Sequence, residues 1–272
     1  MIQTKKQKLS SKLAVSAMLI AISTVLSLVK LAELPYGGSV TVASLLPIVI
    51  AAYRYGSLWG ILCGFVHGSL QLVLGLNTLS YVTGWKAILA VILLDYIVAF
   101  ALTGAAGFTR RIARTQTGAV LSSALLGAFF RYACHVVSGA TVWAGISIPT
   151  AAALKFSFIY NATYMIPETV VLLIVALFVS SSLDFSGDRL TAAKRVHGKN
   201  SVYAVVAWAV CSGAAVYIIA DIFSVLQNSE TGEFDVSGIG NAHWVSIAVV
   251  AAIAVAAAVV GLAMRSRKKK KG

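Results

Sequence analysis

The amino-acid sequence predicts an all-α polytopic membrane protein, and three observations lead to that prediction. Hydrophobic residues make up 59% of the chain, charged residues make up only 11%, and the mean hydropathy is +0.87. Soluble globular domains carry about 25% charged residues, so a chain this poor in charge is expected to lie in a membrane. The third observation is a series of apolar runs, most of them long enough to cross a bilayer core of about 30 Å as helices.

Eight apolar runs are predicted to be membrane spans, six in a membrane domain at 13–182 and two in an additional pair at 201–264. The predicted spans cover residues 13–31, 40–53, 57–75, 86–108, 118–142, 154–182, 201–226 and 243–264. The run at 40–53 is short for a full crossing, which indicates a tilted or partly re-entrant segment. We predict no cleavable signal peptide, because the first run is long enough to span and no cleavage-site pattern follows it.

The net charge of +13 lies almost entirely between the predicted spans. Of the 22 lysines and arginines, all but Lys30, Lys86, Arg131 and Lys155 fall in a few basic segments. These are the tails at 1–12 and 265–272, the turn at 54–57, and the loops at 109–117 and 183–200. Such clustering is typical of cytoplasmic loops that meet lipid headgroups rather than of a nucleic-acid-binding face. The positive-inside rule therefore predicts a multi-pass plasma-membrane protein with both termini in the cytoplasm.

The positions of the three cysteines argue against a disulfide framework and against a metal site. Cys63, Cys134 and Cys211 each lie inside an apolar run, without a CxxC pair or neighbouring histidines. Neither a disulfide framework nor a metal site is predicted from such isolated positions. Buried free thiols acting as small apolar side chains are expected instead.

Polar and ionisable side chains concentrate in two successive apolar runs, between positions 131 and 168. They are Arg131, His135, Trp143, Asn161, Tyr164 and Glu168. Such groups are costly inside a membrane and by default mark a functional site. Counting 1.5 Å per helical residue also puts the polar side chains of four spans at one depth, in the extracytoplasmic half. The sequence therefore predicts a pocket for a small polar or cationic ligand, lined by His67, Asp95, His135 and Asn161.

Each of these residues has a structural alternative. Asp95 is predicted to face an amino-bearing or cationic ligand, or else to pair with His135 or Arg131 for packing alone. His135 is equally compatible with a ligand contact and with an interhelical hydrogen bond. Trp143 fits either a stacking wall of the pocket or an interfacial anchor. Arg131 and Glu168, at similar depth on successive helices, are predicted to pair with one another.

A stripe of small residues predicts helix packing in the third span. Gly60, Gly64 and Gly68 recur at every fourth position, the GxxxG spacing that lets two membrane helices approach closely. Packing is the favoured interpretation of this stripe.

Four stretches of the chain resemble one family of membrane proteins. They are SLLPIVIAAYRYGSLWGILCGFVHG, LLDYIVAFALTGAAG, FFRYACHVVSGATVW and FSFIYN, in this order within residues 13–182. The chain is similar to the substrate-binding (S) components of energy-coupling factor (ECF) vitamin transporters, and most similar to the thiamine-specific subfamily. The resemblance implies a six-helix S-component bundle that binds its vitamin near the outer face. It also implies docking on a transmembrane coupling protein driven by two ABC-type ATPases, and the two C-terminal spans lie outside the pattern.

The resemblance assigns residues to the ligand and to the partner. The family's acidic residue and tyrosine fall on Asp95 and Tyr96, its histidine on His135, its stacking tryptophan on Trp143 and its asparagine on Asn161. We include His67 and Tyr164 among the predicted substrate-binding residues, and Ala17 and Ala21 match the small-residue element that contacts the coupling protein. A carboxylate, an amide and aromatic faces suit an aminopyrimidine and a thiazolium cation.

The chain departs from the family in several aromatic and acidic positions. Asp95 replaces a glutamate, His67 replaces a tryptophan, Phe156 replaces a tyrosine, and the first-loop tryptophan is absent from 32–40. The predicted ligand is therefore thiamine, a precursor such as a hydroxymethylpyrimidine, or a different heterocycle.

Two other function classes stay open from the sequence. A stand-alone proton-coupled secondary transporter would use Asp95, His135 and Glu168 as a proton relay. A membrane enzyme or haem protein would use His67 and His135, although no attachment motif or nucleophile–base pair supports it. The sequence contains no GxxxxGK[ST] motif, so energy from ATP would have to come from a partner. No cofactor, metal site or catalytic residue is predicted.

Overall fold

A computed structural model of the chain describes residues 9–34, 37–141, 151–185, 187, 190–192, 199–226 and 236–266. Its main helices are α1 Leu9–Leu28, α2 Leu46–Tyr55, α3 Ser57–Leu74, α4 Trp85–Arg111, α5 Gln116–Thr141, α6 Ala151–Ser182, α7 Lys199–Leu226 and α8 Trp244–Ser266. Short 3₁₀ helices cover Leu76–Tyr81 and Val236–Asn241. Seven of these helices, all except α2, are long and apolar enough to cross a membrane. The prediction of an all-α polytopic membrane protein is thereby confirmed.

The chain divides into two compact units, 1–191 and 192–272. The first unit holds α1 to α6, and the second holds the α7–α8 hairpin. In the hairpin, the carboxylate of Asp221 accepts hydrogen bonds from the ring Nδ1 of His243 at 2.8 Å and from its backbone N–H at 3.1 Å. Since α8 begins at Trp244, this carboxylate stabilises the start of that helix.

The region predicted as the second span is built differently from a membrane-crossing helix. Strand β1, Lys30–Glu33, pairs antiparallel with β2, Ser39–Thr41, before α2 begins with Pro47 in its first turn. Helix α2 has ten residues and rises only about 15 Å, half of a bilayer core. Two further short strands, β3 Leu183–Asp184 and β4 Thr191–Ala192, pair after α6.

Helix α2 forms the centre of the first unit. Every residue from Leu46 to Arg54 is buried, and the surrounding helices contribute the other core side chains. These include Leu19 of α1, Cys63 of α3, Phe100 of α4, Val120 of α5 and Leu172 of α6. The outward faces of the long helices carry large exposed apolar side chains, such as Leu62, Phe129 and Ile166. An apolar exterior around a packed interior is the arrangement expected in lipid.

The glycine stripe of α3 is a packing surface, as predicted. A Cβ on Gly64 would overlap the carbonyl oxygen of Phe100, and a Cβ on Gly68 would lie 2.6 Å from the carbonyl oxygen of Tyr96. Gly104 of α4 meets the backbone of Gly60 in the same way. Helices α3 and α4 are therefore in backbone contact along three turns.

We expect Gly64→Ala to destabilise the first unit by about 1–3 kcal/mol, because the added methyl would force two packed backbones apart. The free energy of unfolding in detergent, followed by circular dichroism, measures the effect. Gly213→Ala is a matched control, since a Cβ on that helical glycine of α7 meets nothing within 4 Å. An equal effect of the two substitutions would contradict the packing role of Gly64.

Candidate ligand-binding site

Asp95 lies in a π-helical segment in the middle of α4. Residues Ile92–Val98 form the π-helix, between regular α-helical turns at Trp85–Val91 and Ala99–Ala105. A π-helical turn is wider than an α-helical one and is found frequently at functional sites. The sequence had predicted a regular helix over 86–108, because an apolar run of this kind gives no signal of a change in helical period.

The carboxylate of Asp95 joins α4 to α5 through both of its oxygens. Oδ1 lies 2.7 Å from Nδ1 of His135, and Oδ2 accepts a hydrogen bond from the hydroxyl of Ser138 at 2.7 Å. His135 and Ser138 are three residues apart and therefore share one face of α5. The side chains of Asp95 and His135 are only 15% and 13% exposed. This is one of the two pairings that the sequence predicted for Asp95.

The other ring nitrogen of His135 has no hydrogen-bond partner among the described residues. Nε2 is buried, whereas Nδ1 is engaged by Asp95. Leaving a buried polar atom unsatisfied costs about 1–3 kcal/mol in a folded protein. Such an atom in a polar cluster is a natural point of contact for a ligand, because a ligand group supplies the missing partner.

Asn161 and Tyr164 of α6 complete the cluster from a third helix. The side-chain amide nitrogen of Asn161 donates to the backbone carbonyls of Ser157, at 2.8 Å, and of His135, at 3.3 Å. The hydroxyl of Tyr164 donates to Oδ1 of Asn161 at 2.7 Å. A Cβ on Gly139 would overlap Ser157, so glycine there allows α5 to approach α6 at this level. Asn161 therefore fixes the backbone that carries His135.

The β1–β2 connection packs on the same part of α6. A Cβ on Gly38 would lie within 3 Å of both Tyr164 and Tyr160, and these two rings meet edge to face at 5.7 Å. Neither Tyr160 nor the β-hairpin was predicted to lie at this site.

Tyr96 and His67 are placed differently from the other predicted site residues. The hydroxyl of Tyr96 donates to the carbonyl oxygen of Gly75 at 3.2 Å. His67 is completely buried, lies edge-on to Phe100 at 5.1 Å, and contacts the hydroxyls of Ser23 and Thr24 through its two nitrogens at 3.3 and 3.4 Å. Its contacts are therefore with α1 and α4 rather than with the Asp95–His135 pair.

His67 belongs to a ladder of polar contacts between α1 and α3. Trp59 Nε1 donates to Ser16 at 2.7 Å, about two turns before His67 along α3, and Gln71 donates to Ser27 at 2.8 Å, about one turn after His67. The signal was present in the sequence. Serines at positions 16, 23 and 27 follow a helical stripe in α1, and positions 59, 63, 67 and 71 follow one in α3.

The predicted ion pair between Arg131 and Glu168 is confirmed. Arg131 donates to Oε2 of Glu168 at 2.5 Å, and Thr41 of β2 donates to Oε1 at 2.7 Å. The guanidinium of Arg131 also lies 5.1 Å from the ring centre of Phe100. A buried charge requires such pairing, so this network joins α5, α6 and the β-hairpin.

The remaining predicted residues lie on the surface or outside the described part of the chain. Ala17 and Ala21 are exposed on α1, outside its polar contacts with α3. Trp143 lies outside the described residues. Within the described residues, no group of three or more metal-ligating side chains occurs.

The comparisons with known proteins agree with this architecture. A family model described as "Thiamine transporter protein (Thia_YuaJ)" matches residues 13–185. The chain belongs to this family. The matched residues include the whole Asp95–His135–Asn161 cluster and end before the α7–α8 hairpin.

Two curated relatives are similar over the same region. "Thiamine transporter ThiT" of Bacillus subtilis is 31% identical over 168 residues, which cover 58% of this chain and 83% of the relative. "Thiamine transporter ThiT" of Lacticaseibacillus paracasei is 28% identical over 153 residues, which cover 53% and 70% of the two chains. Both relatives are named as transporters and not as enzymes, in agreement with the predicted class of function.

A solved structure of ThiT from Listeria monocytogenes shares the family's fold with this chain. The TM-score is 0.50 at 20% sequence identity, over 62% of this chain and 92% of that structure. At this identity the likeness concerns the fold alone.

Proposed function

We propose that this chain is a membrane-embedded binding subunit for the uptake of thiamine or a thiamine-related heterocycle. The observation that carries the proposal is the Asp95–His135–Ser138 cluster, which lies inside the family-matched region and contains a buried ring nitrogen that no described residue contacts through a hydrogen bond. A carboxylate–imidazole pair offers negative charge and hydrogen bonds to an aminopyrimidine or a cation. The names of the two curated relatives support thiamine as the first ligand to test.

The orientation that we propose places the protein in the cell membrane with both termini in the cytoplasm. The support is the distribution of basic residues between the spans. In this orientation the Asp95 cluster lies in the extracytoplasmic half of the bundle, where an external ligand would arrive.

The experiment that tests the binding function is titration of the purified full chain with thiamine, followed by quenching of tryptophan fluorescence. Hydroxymethylpyrimidine and riboflavin serve as parallel ligands. Saturable quenching by thiamine, and none by riboflavin, is the expected result. Quenching by the pyrimidine alone would identify the pyrimidine, instead of thiamine, as the ligand. Absence of quenching by all three compounds would overturn the proposal.

We also propose that uptake needs an ECF coupling protein and two ABC-type ATPase subunits. The chain itself lacks a nucleotide-binding GxxxxGK[ST] motif, so an ATP-driven cycle would require partners. The exposed Ala17 and Ala21 of α1 give a surface on which another membrane helix can approach closely.

The alternative of a proton-coupled secondary transporter is less well supported by the side-chain contacts. Hydrogen bonds engage Glu168 with Arg131 and Thr41, while they engage Asp95 with His135 and Ser138. Uptake into liposomes that contain the chain without any ATPase, abolished by a protonophore, would favour the alternative over the ECF mechanism.

Ala17→Leu is expected to weaken assembly with the coupling protein about tenfold, because a large side chain would separate the two helices. Thiamine affinity of the isolated chain should stay unchanged. Co-purification of the separately tagged subunits measures assembly. Ala252→Leu, at an exposed alanine of α8, is the control for a leucine added to a lipid-facing surface. If Ala17→Leu assembles as well as the control, α1 is not the contact surface.

A further inference from the structure

The turn between α4 and α5 carries positive charge that no acidic residue nearby in the sequence balances. Arg110, Arg111 and Arg114 lie within five positions, while no aspartate or glutamate occurs between Asp95 and Glu168. Both helices are long and apolar enough to cross a membrane, so the turn that joins them lies at a membrane surface. In the proposed orientation this is the cytoplasmic surface.

The first of the three arginines is used inside the protein. Nη1 of Arg110 donates hydrogen bonds to the backbone carbonyls of Tyr53, at 2.8 Å, and of Arg54, at 3.0 Å. Its guanidinium also lies 5.4 Å from the ring centre of Tyr53. These carbonyls belong to the last turn of α2, where a helix leaves its carbonyl groups without intrahelical partners. Arg110 therefore joins the end of α4 to the end of α2.

The other two arginines point to a different role. Arg111 and Arg114 are both exposed, and neither forms an ion pair with a residue that the structure describes. Ile112, between them, is 74% exposed, and Phe108 is 41% exposed. Exposed apolar side chains beside cations are typical of a segment that lies in the membrane interface. The apolar groups enter the boundary between headgroups and acyl chains, and the cations stay at the level of the phosphates.

We propose that this turn, Phe108–Arg114, binds anionic phospholipid of the cytoplasmic leaflet. The guanidinium groups of Arg111 and Arg114 bind headgroup phosphates, because arginine presents two parallel N–H groups to a phosphate. Ile112 enters the acyl region beside them. An anionic leaflet supplies both partners that the turn requires, negative charge and an adjoining apolar layer. The surface lies about 20 Å along α4 from Asp95 and is independent of the ligand that the protein takes up.

The experiment measures which lipids the purified full chain retains. The protein in detergent receives an equimolar mixture of phosphatidylglycerol and phosphatidylcholine, and native mass spectrometry counts the bound molecules of each. The natural sequence should retain phosphatidylglycerol in preference. Arg111→Gln and Arg114→Gln should each lower the ratio of bound phosphatidylglycerol to phosphatidylcholine about fivefold, the contribution of one cation near an anionic surface. The double variant should lower the ratio further than either single variant.

A matched double variant tests whether the position of the charge matters. Lys86→Gln with Lys155→Gln removes the same charge from exposed positions near the starts of α4 and α6. Neither lysine has another cation within ten positions of it in the sequence. This double variant should therefore change the lipid ratio much less than the arginine double variant.

Two single variants separate the lipid contacts from the packing of the turn. Arg110→Gln should lower the unfolding temperature and leave the lipid ratio unchanged, because its hydrogen bonds lie within the protein. Ile112→Ser should weaken retention of both lipids and keep their ratio, because it removes apolar contact without changing the charge. Circular dichroism establishes that each variant is folded before its lipids are counted.

Four results would overturn the proposal. The first two are equal retention of the two lipids by the natural sequence and an unchanged ratio in the arginine variants. The third is an equal loss in the lysine double variant, which would mean that lipid retention follows net charge and not this turn. The fourth is an unchanged ratio together with weakened co-purification of the coupling protein in the arginine double variant, which would make the turn a protein contact.

Discussion

Replacing Glu168 with glutamine is expected to reduce the free energy of unfolding by about 3–5 kcal/mol, the cost of leaving a buried charge without its partner. Glu168 is 4% exposed, and Arg131, its partner, is held between Glu168 and the ring of Phe100. Glutamine keeps the size of the side chain but removes the negative charge that balances the guanidinium. Chemical unfolding of the purified protein in detergent measures the loss.

Two further variants test whether the unpaired buried charge, and not another effect of the substitution, causes the loss of stability. The double variant Arg131→Met, Glu168→Leu should recover much of the lost stability, because it removes both charges together. Glu33→Gln breaks the exposed Lys30–Glu33 pair and should change stability by about 0–1 kcal/mol. A Glu168→Gln protein as stable as Glu33→Gln would show that Arg131 reaches water or another anion.

The sequence predicted the contacts that avoid the free-energy cost of an unpaired polar group or an unfilled space in the membrane interior. An arginine and a glutamate at equal depth in adjacent spans had to pair, and three glycines at every fourth position had to meet another backbone. The contact of Asp95 with His135 is one of the alternatives that the sequence left open, beside a pair with Arg131 and a contact with a ligand. Polar groups in lipid have so few alternatives that their partners are largely determined.

The sequence did not predict the contacts that depend on local backbone geometry. The π-helical turn that carries Asp95 interrupts a run that reads as a uniform apolar segment. The β-hairpin that brings Thr41 to Glu168 lies between two predicted spans, where the sequence indicated only a loop. His67 was predicted to line the pocket at the depth of Asp95 and His135. Its contacts with Ser23 and Thr24 depend on which face of α3 meets α1.

The α7–α8 hairpin contains a second aspartate–histidine pair, in a more exposed environment than the pair in the candidate site. Asp221 also accepts a hydrogen bond from Nδ1 of a histidine, His243, but that ring is 70% exposed at the start of α8. The pair lies outside residues 13–185, the part of the chain that the family covers. An aspartate–histidine pair is therefore not in itself a sign of a ligand site. The burial of His135 Nε2 is what distinguishes the first pair from the second.

Asp95→Asn is expected to weaken thiamine binding by about 2–5 kcal/mol, since the substitution removes a nearly buried charge from the cluster that would meet a cationic ligand. Fluorescence titration measures the change in affinity. Asp221→Asn is the matched control, because it makes the same substitution in the other aspartate–histidine pair and should leave affinity unchanged. Equal affinity of Asp95→Asn and the natural sequence would remove the Asp95 cluster from the binding site. Equal loss in both variants would indicate a general effect on the protein, and only loss confined to Asp95→Asn supports a ligand at His135.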